Sequence, residues 1–236
     1  MKNDNVWRRL PLPDGDAPVV LIRRRRKSIG IKVQNGVVEL IAAPEVSLIR
    51  LNQVLELRRD WIVGHLLRQR DQLAAGEDLS TARLQGEALT VKLAGGARKT
   101  AKREGSNLLV FGVQAGDAAA LKAVAAKFLK REAAILFPAR LIALAAACRR
   151  KPTGLQLSSA RSRWGSCTSD GRIRLNWRLI QAPPAVIDYV IAHELAHLEH
   201  MNHSPAFWAE TERLHPGWRE ARRWLKQHGG GLFVFD

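Results

Sequence analysis

Ile187-Asp-Tyr-Val-Ile-Ala-His-Glu-Leu-Ala-His197, continued by Leu198-Glu-His-Met-Asn-His203, is the stretch from which the rest of the 236-residue chain is read. The apolar run from Val186 to Ala192 holds no Gly or Pro and predicts a buried helix. On that helix His193 and His197 lie one turn apart on the same face, so their imidazoles meet at one point. Two neutral imidazoles there make half of a tetrahedral Zn2+ site. Glu194 falls on the flank, where the water to be activated would sit.

A third ligand has to arrive from another direction. His200 shares the face by angle but lies a further turn along the axis, beyond His197. His203 is better placed. Asn202 reads as a left-handed residue ending the helix, and Ser204-Pro205 as the cap and first turn of the next. His203 would then occupy the corner between two helices. Its offset from His197 equals that in the pattern H-E-x-x-H-x-x-G-x-x-H, although His200 stands where that pattern has Gly. Glu210, Glu212 and Glu220 are rival third ligands, since some zinc sites of this kind take a Glu from a following helix.

Several segments together carry a resemblance: Arg161-Ser-Arg-Trp-Gly-Ser-Cys167, Arg172-Ile-Arg-Leu-Asn-Trp177, Ile187 to His197, and Asn202-His-Ser-Pro-Ala-Phe-Trp208. In them the chain resembles the YgjP-like metallopeptidase family, related to the SprT-like and WLM zinc proteases. The likeness is densest from about Arg161 to Trp208 and looser over the remaining length. It implies a zincin-type, metal-dependent hydrolase with His193, His197 and His203 as ligands and Glu194 as base. Peptide bonds are the substrate that the resemblance implies.

Composition bounds the rest. Apolar residues make up 46% and charged residues 25%, the balance of a soluble globular protein. The segment from Met1 to Asp16 is mixed, loose and free of a signal-peptide core, and no apolar stretch is long enough to cross a bilayer. Cys148 and Cys167 form neither a metal pair nor a disulfide framework, which predicts a reduced, cytoplasmic protein with free thiols. The net charge is +16, with +8 in residues 1–115 and +8 in residues 116–236, so no basic tail holds the excess. Such a surface attracts polyanions, and nucleic-acid association through it is one expectation. No nucleic-acid-binding module accompanies the charge.

Along the chain, Val19 to Val33 reads as extended, and the basic run Arg23 to Lys27 within it reads as the wet face of a strand. Gln34-Asn35-Gly36 is a hairpin turn, from which Val37 to Ile41 returns. Leu48, Leu51, Leu55, Ile62 and Leu66 share one face of a helix predicted over Val46 to Leu73, with Val54 and Trp61 widening it and Ala75-Gly76 ending it. A second strand group spans Leu89 to Val113. Asp117 caps a long helix that Pro138 should break or kink. Lys151-Pro-Thr-Gly154 is the clearest linker signal, and no internal repeat shows. The expected fold class is α+β, with a mixed strand and helix region over 1–115 and a zincin-like unit over 116–236, its H-E-x-x-H helix beside a small sheet.

Arg161, Arg163 and Ser166 lie in the loop that joins two strands of that sheet, within reach of the cleft. An arginine there would stabilise a developing oxyanion or hold a substrate carboxylate or phosphate. The reaction expected is metal-assisted hydrolysis of a peptide or of a small anionic substrate. A metal-dependent nucleotide phosphohydrolase (a pyrophosphatase) is one alternative. A nucleic-acid-associated binding module with structural zinc is the other. Glu194 counts against the last, because a structural site needs no base.

Overall fold

Apolar alternation lays out the first sheet. The computed structural model describes residues 6–12, 15–34, 36–74 and 78–236, and the chain divides into two compact units, Met1–Glu77 and Asp78–Asp236. In the first unit β1 (Val6–Leu12), β2 (Gly15–Arg23), β3 (Gly30–Gln34) and β4 (Val37–Ala42) form one sheet in the order β1-β2-β4-β3. β2 and β4 run parallel, and the outer pairs are antiparallel hairpins. Val38, Leu40 and Ala42 alternate into the core, each fully buried. The N-terminal stretch expected to be loose supplies β1, because Leu10 sits opposite Ala17 in register and both are buried.

The basic run leaves the strand after its first residue. Arg23 closes β2 and donates to the Ala43 and Val46 carbonyls, each at 2.8 Å, while Arg24 to Lys27 cross over exposed toward β3. Asn35 of the predicted turn and Ala75-Gly76 lie outside the described residues. The helix predicted from Val46 to Leu73 is two helices, α1 (Leu48–Leu57) and α2 (Arg59–Ala74), with Ser47 accepting from Arg50 N at 3.2 Å as the N-cap. Arg58 separates them at φ −107° and ψ 8°, its N–H shared between the Val54 and Leu55 carbonyls.

The second unit opens with the same strand plan. β5 (Thr81–Leu84), β6 (Glu87–Ala94), β7 (Thr100–Glu104) and β8 (Asn107–Phe111) lie in the order β5-β6-β8-β7, with β6 and β8 parallel. An architectural repeat is therefore present that residue identity does not reveal. α3 (Ala118–Ala145) follows, capped by Asp117 accepting from Ala120 N at 2.9 Å. Pro138 does not break it. Pro138 and Ala134, whose carbonyl loses its partner, are both on the exposed side, while Phe128, Ala133, Phe137 and Leu141 keep the other face buried. The Lys151 ammonium donates to the carbonyls of Ala145, Ala146 and Cys148, so the expected linker closes the end of α3 instead of separating domains.

The boundary expected at residue 115 falls inside this unit. Leu84, Leu89, Leu108 and Val110 of the sheet share one core with α3 and with Leu179, Ile180, Ile187 and Ile191. The β5–β6 turn is also pinned to that region, with Gln85 N donating to Ile180 O at 2.7 Å and Gly86 N to Gln181 O at 3.1 Å. A second small sheet, β9 (Gly154–Ser158), β10 (Gly165–Cys167) and β11 (Arg172–Asn176), has β11 in the middle, parallel to β9 and antiparallel to β10. It packs against α4 (Pro184–Ala196), which is followed by α5 (Pro205–Leu214) and α6 (Trp218–His228). The class is α+β. Among the described residues, no helix is long and apolar enough to cross a membrane.

Candidate metal centre

α4 buries nearly all round, with Ile187, Ile191, Ala192 and Leu195 at 1% exposure or less, and this fixes the direction in which His193 projects. The helix ends sooner than Asn202. His197 is already its C-cap, and the N–H groups of Leu198 and His200 turn back to the Leu195 and Ala196 carbonyls at 3.0 Å. Arg150 holds this turn, its guanidinium bound to Leu198 O and its N–H to Glu199 Oε1 at 3.0 Å. Asn202 has no positive φ. Ser204 does cap α5, accepting from Phe207 N at 3.4 Å, and His203 stands in the corner between the helices.

The ligand atoms offered by His193, His197 and His203 all lie within 4.8 Å of one another, and this is the only such group of His, Cys, Asp or Glu among the described residues. His193 Nε2 and His203 Nε2 are 3.2 Å apart. Two nitrogens bound at 2.0–2.1 Å to one tetrahedral ion are separated by about 3.3 Å, so the pair fits a metal. His197 Nδ1 faces the His200 carbonyl at 3.1 Å. A carbonyl only accepts, so Nδ1 holds the proton and Nε2 keeps its lone pair for a ligand bond. Phe207, fully buried, forms the floor, its ring 4.8, 4.5 and 4.6 Å from the rings of His193, His197 and His203.

Burial drives the His193 imidazole down to about 3, with His197, His203 and Arg222 adding to the effect. Burial also lowers His197. Neutral imidazoles are the form that binds metal. Burial pushes the Glu194 carboxyl up to about 8, opposed by the Arg163 guanidinium. Glu194 is 4% exposed, and its carboxylate lies against Gly165 of β10. A Cβ built on Gly165 would stand 2.7 Å from Glu194 Cδ.

The other residues singled out in the sequence divide. Arg163 stands two residues before Gly165, its carbonyl held by Asn176 Nδ2 at 3.3 Å. Arg161 is turned to the C-terminal segment, paired with Asp236 at 2.9 Å and stacked over Phe233. Ser166 follows Gly165 on the strand and therefore points to the opposite face from the Glu194 contact. The rival ligands are occupied: Glu210 pairs with Arg213, Glu212 with Arg219 and Glu220 with Arg223. A further histidine, His215, stands outside the cluster, where it caps the C-terminus of α5 and acts electrostatically on Asp188.

Two contributors are not singled out by the sequence reading: Gly165, although it lies within the Arg161 to Cys167 segment, and Arg222. Arg222 stacks on Trp208 at 5.1 Å, and Trp208 in turn lies 5.8 Å from the rings of both His193 and His203. The available signal was the spacing Trp218 to Arg222, one helical turn, given that Trp218 stacks on Trp208 at 4.6 Å. Tyr189, 6% exposed, stands edge-on to His193 at 6.0 Å.

Comparison with curated proteins and with solved structures gives no match. The family model described as YgjP-like, metallopeptidase domain, matches residues 27–228. That match runs through both compact units and takes in the whole segment from which the three imidazoles project, and the chain belongs to the YgjP-like metallopeptidase-domain family.

Proposed function

We propose that this member of a metallopeptidase family is a zinc-dependent peptidase, with His193, His197 and His203 as ligands and Glu194 as general base. The convergence of three imidazoles beside a buried carboxylate carries the reading. An all-imidazole donor set suits zinc and does not suit the oxygen-seeking Mg2+ or Ca2+. A zinc ion held there would supply a Lewis acid for the scissile carbonyl and acidify water. Glu194 takes the proton from the attacking water and returns it to the leaving amine, its position set by the contact with Gly165. β10 supports the polypeptide: as an edge strand of its sheet, packed against α4, it offers backbone groups along which an extended substrate adds. Arg163 balances the negative charge that develops on the carbonyl oxygen.

The test is cleavage of an unstructured polypeptide by zinc-loaded protein, abolished by chelation and restored by zinc. Zinc-loaded protein with full metal occupancy and no cleavage of any polypeptide in a broad panel would overturn the reading.

A second reading, hydrolysis of a phosphoanhydride, is favoured by one observation. Arg163 and Arg222 flank the site without an acceptor partner among the described residues, whereas every other arginine beyond residue 160 is engaged by an acceptor side chain. A panel of nucleoside triphosphates and polypeptides, assayed at low and high ionic strength, separates the two. Zinc-dependent phosphate or pyrophosphate release, weakened by salt and by Arg163→Ala, supports the second reading. Salt-tolerant peptide cleavage without phosphate release supports the first. Peptide cleavage stimulated by added DNA assigns the basic surface to nucleic-acid association.

A further inference from the structure

We propose that the first unit carries a docking groove for an extended polypeptide segment in which apolar and acidic residues alternate. The groove has a volume of about 480 Å³ and two walls of different origin. Ile29 and Ile31, two apart, share one face of the chain running into β3. Arg50, Val54, Leu57 and Trp61, spaced four, three and four apart, form one stripe across α1 and α2. Leu57 is 81% and Trp61 45% exposed, although the same helices bury Leu51, Leu55 and Ile62 completely. Large apolar side chains clustered in water mark an interaction site.

The second unit serves as an internal control. Its first sheet has the same strand order, with β7 in the place of β3, and α3 packs on β7 as α2 packs on β3, where Ile31 stays half-buried. Ala101, the register counterpart of Ile31, is 5% exposed under that helix. The open groove of the first unit is therefore no necessary result of the topology.

Charge and strand position decide the occupant. β3 is the last strand of its sheet, a place where an added strand continues the ladder. Arg50 and Arg58 stand in the lining, no acidic side chain does, and neither arginine has a carboxylate partner among the described residues. Arg24, Arg25 and Lys27 are exposed on the approach to Ile29. A second copy of the chain is disfavoured, since a net charge of +16 would set one cationic surface against another. A nucleic acid would satisfy the cations but leave Ile29, Ile31, Val54 and Leu57 facing sugar and phosphate. An extended peptide presents alternate residues to opposite sides, apolar to the stripe and acidic to the arginines. This inference is independent of the chemistry at the histidine cluster.

A fluorescein-labelled octapeptide of alternating Leu and Glu tests it, titrated with the 236-residue chain in EDTA and followed by anisotropy. Saturable binding is expected, weakened about tenfold or more by the double change Leu57→Ala, Trp61→Ala, weakened by Arg50→Glu, and lost when alternate peptide nitrogens are methylated. Both truncated side chains are exposed, so the double variant should melt like the wild type, which a thermal scan verifies. Absence of saturable binding, unchanged affinity in the folded double variant, or tighter binding of an oligothymidylate of equal charge overturns the proposal.

Discussion

Gly165 and Glu194 are in direct contact, and β10 passes the carboxylate only because position 165 has no side chain: an added Cβ would lie 2.7 Å from both Cγ and Cδ of Glu194. Gly165→Ala should therefore push the carboxylate aside while leaving the imidazoles in place. Misplacement by about 1 Å costs on the order of 100-fold in rate, and overpacking costs about 1–3 kcal/mol in stability. The expected outcome is a folded protein that keeps its metal and loses about 100-fold in turnover. Wild-type turnover in Gly165→Ala would show that the contact does not position the base.

Glu194→Gln keeps the size of the side chain and removes its capacity to take a proton. Turnover should fall by about 100- to 10,000-fold, with metal content unchanged. Elemental analysis alongside a single-substrate assay checks both halves, and loss of metal together with activity would point to a role in ligation.

His203→Ala removes one of the three converging nitrogens, so bound metal per chain should drop well below that of the wild type. His200→Ala should retain metal, because His200 contributes its backbone carbonyl to His197 Nδ1 and alanine keeps that carbonyl. A larger loss from the change at His200 would reassign the third ligand.

His215 carries a pH dependence separable from the metal centre. Burial holds its imidazole below the ordinary 6.5, opposed by Asp188. The unfolded chain therefore takes up this proton before the folded one as pH falls, and the stability contributed by neutral His215 is complete above about 6.5 and lost below it. His215→Gln should gain on the wild type in melting temperature between pH 7 and pH 5. The histidine cluster is common to both proteins and cancels from the difference. Parallel curves across that range would remove His215 as the cause.

The sequence by itself determined what is local. His193, His197 and His203 lie within eleven residues, so helix periodicity and one capped corner at Ser204 bring their rings together, with the turn between them braced by Arg150. The Asp117 cap and the alternation in Val37 to Ala42 are of the same kind, signals complete within a few residues. What only the tertiary structure decided lies in contacts between segments far apart in the chain. Gly165 lies in a segment that reads as a loop joining two strands, and its missing side chain matters only once β10 is laid against α4. Arg161 and Arg163 are equivalent in sequence, yet Asp236 takes the first and the second stays beside Glu194. Pro138 reads as a break, but the carbonyl it orphans faces solvent and the buried face of α3 continues past it. The boundary moved from residue 115 to residue 77 for a related reason: β5 to β8 bury Leu84, Leu89 and Val110 against residues about seventy to one hundred positions away. Periodicity reports which face of an element is apolar. Which partner covers that face depends on topology, and no local pattern encodes it.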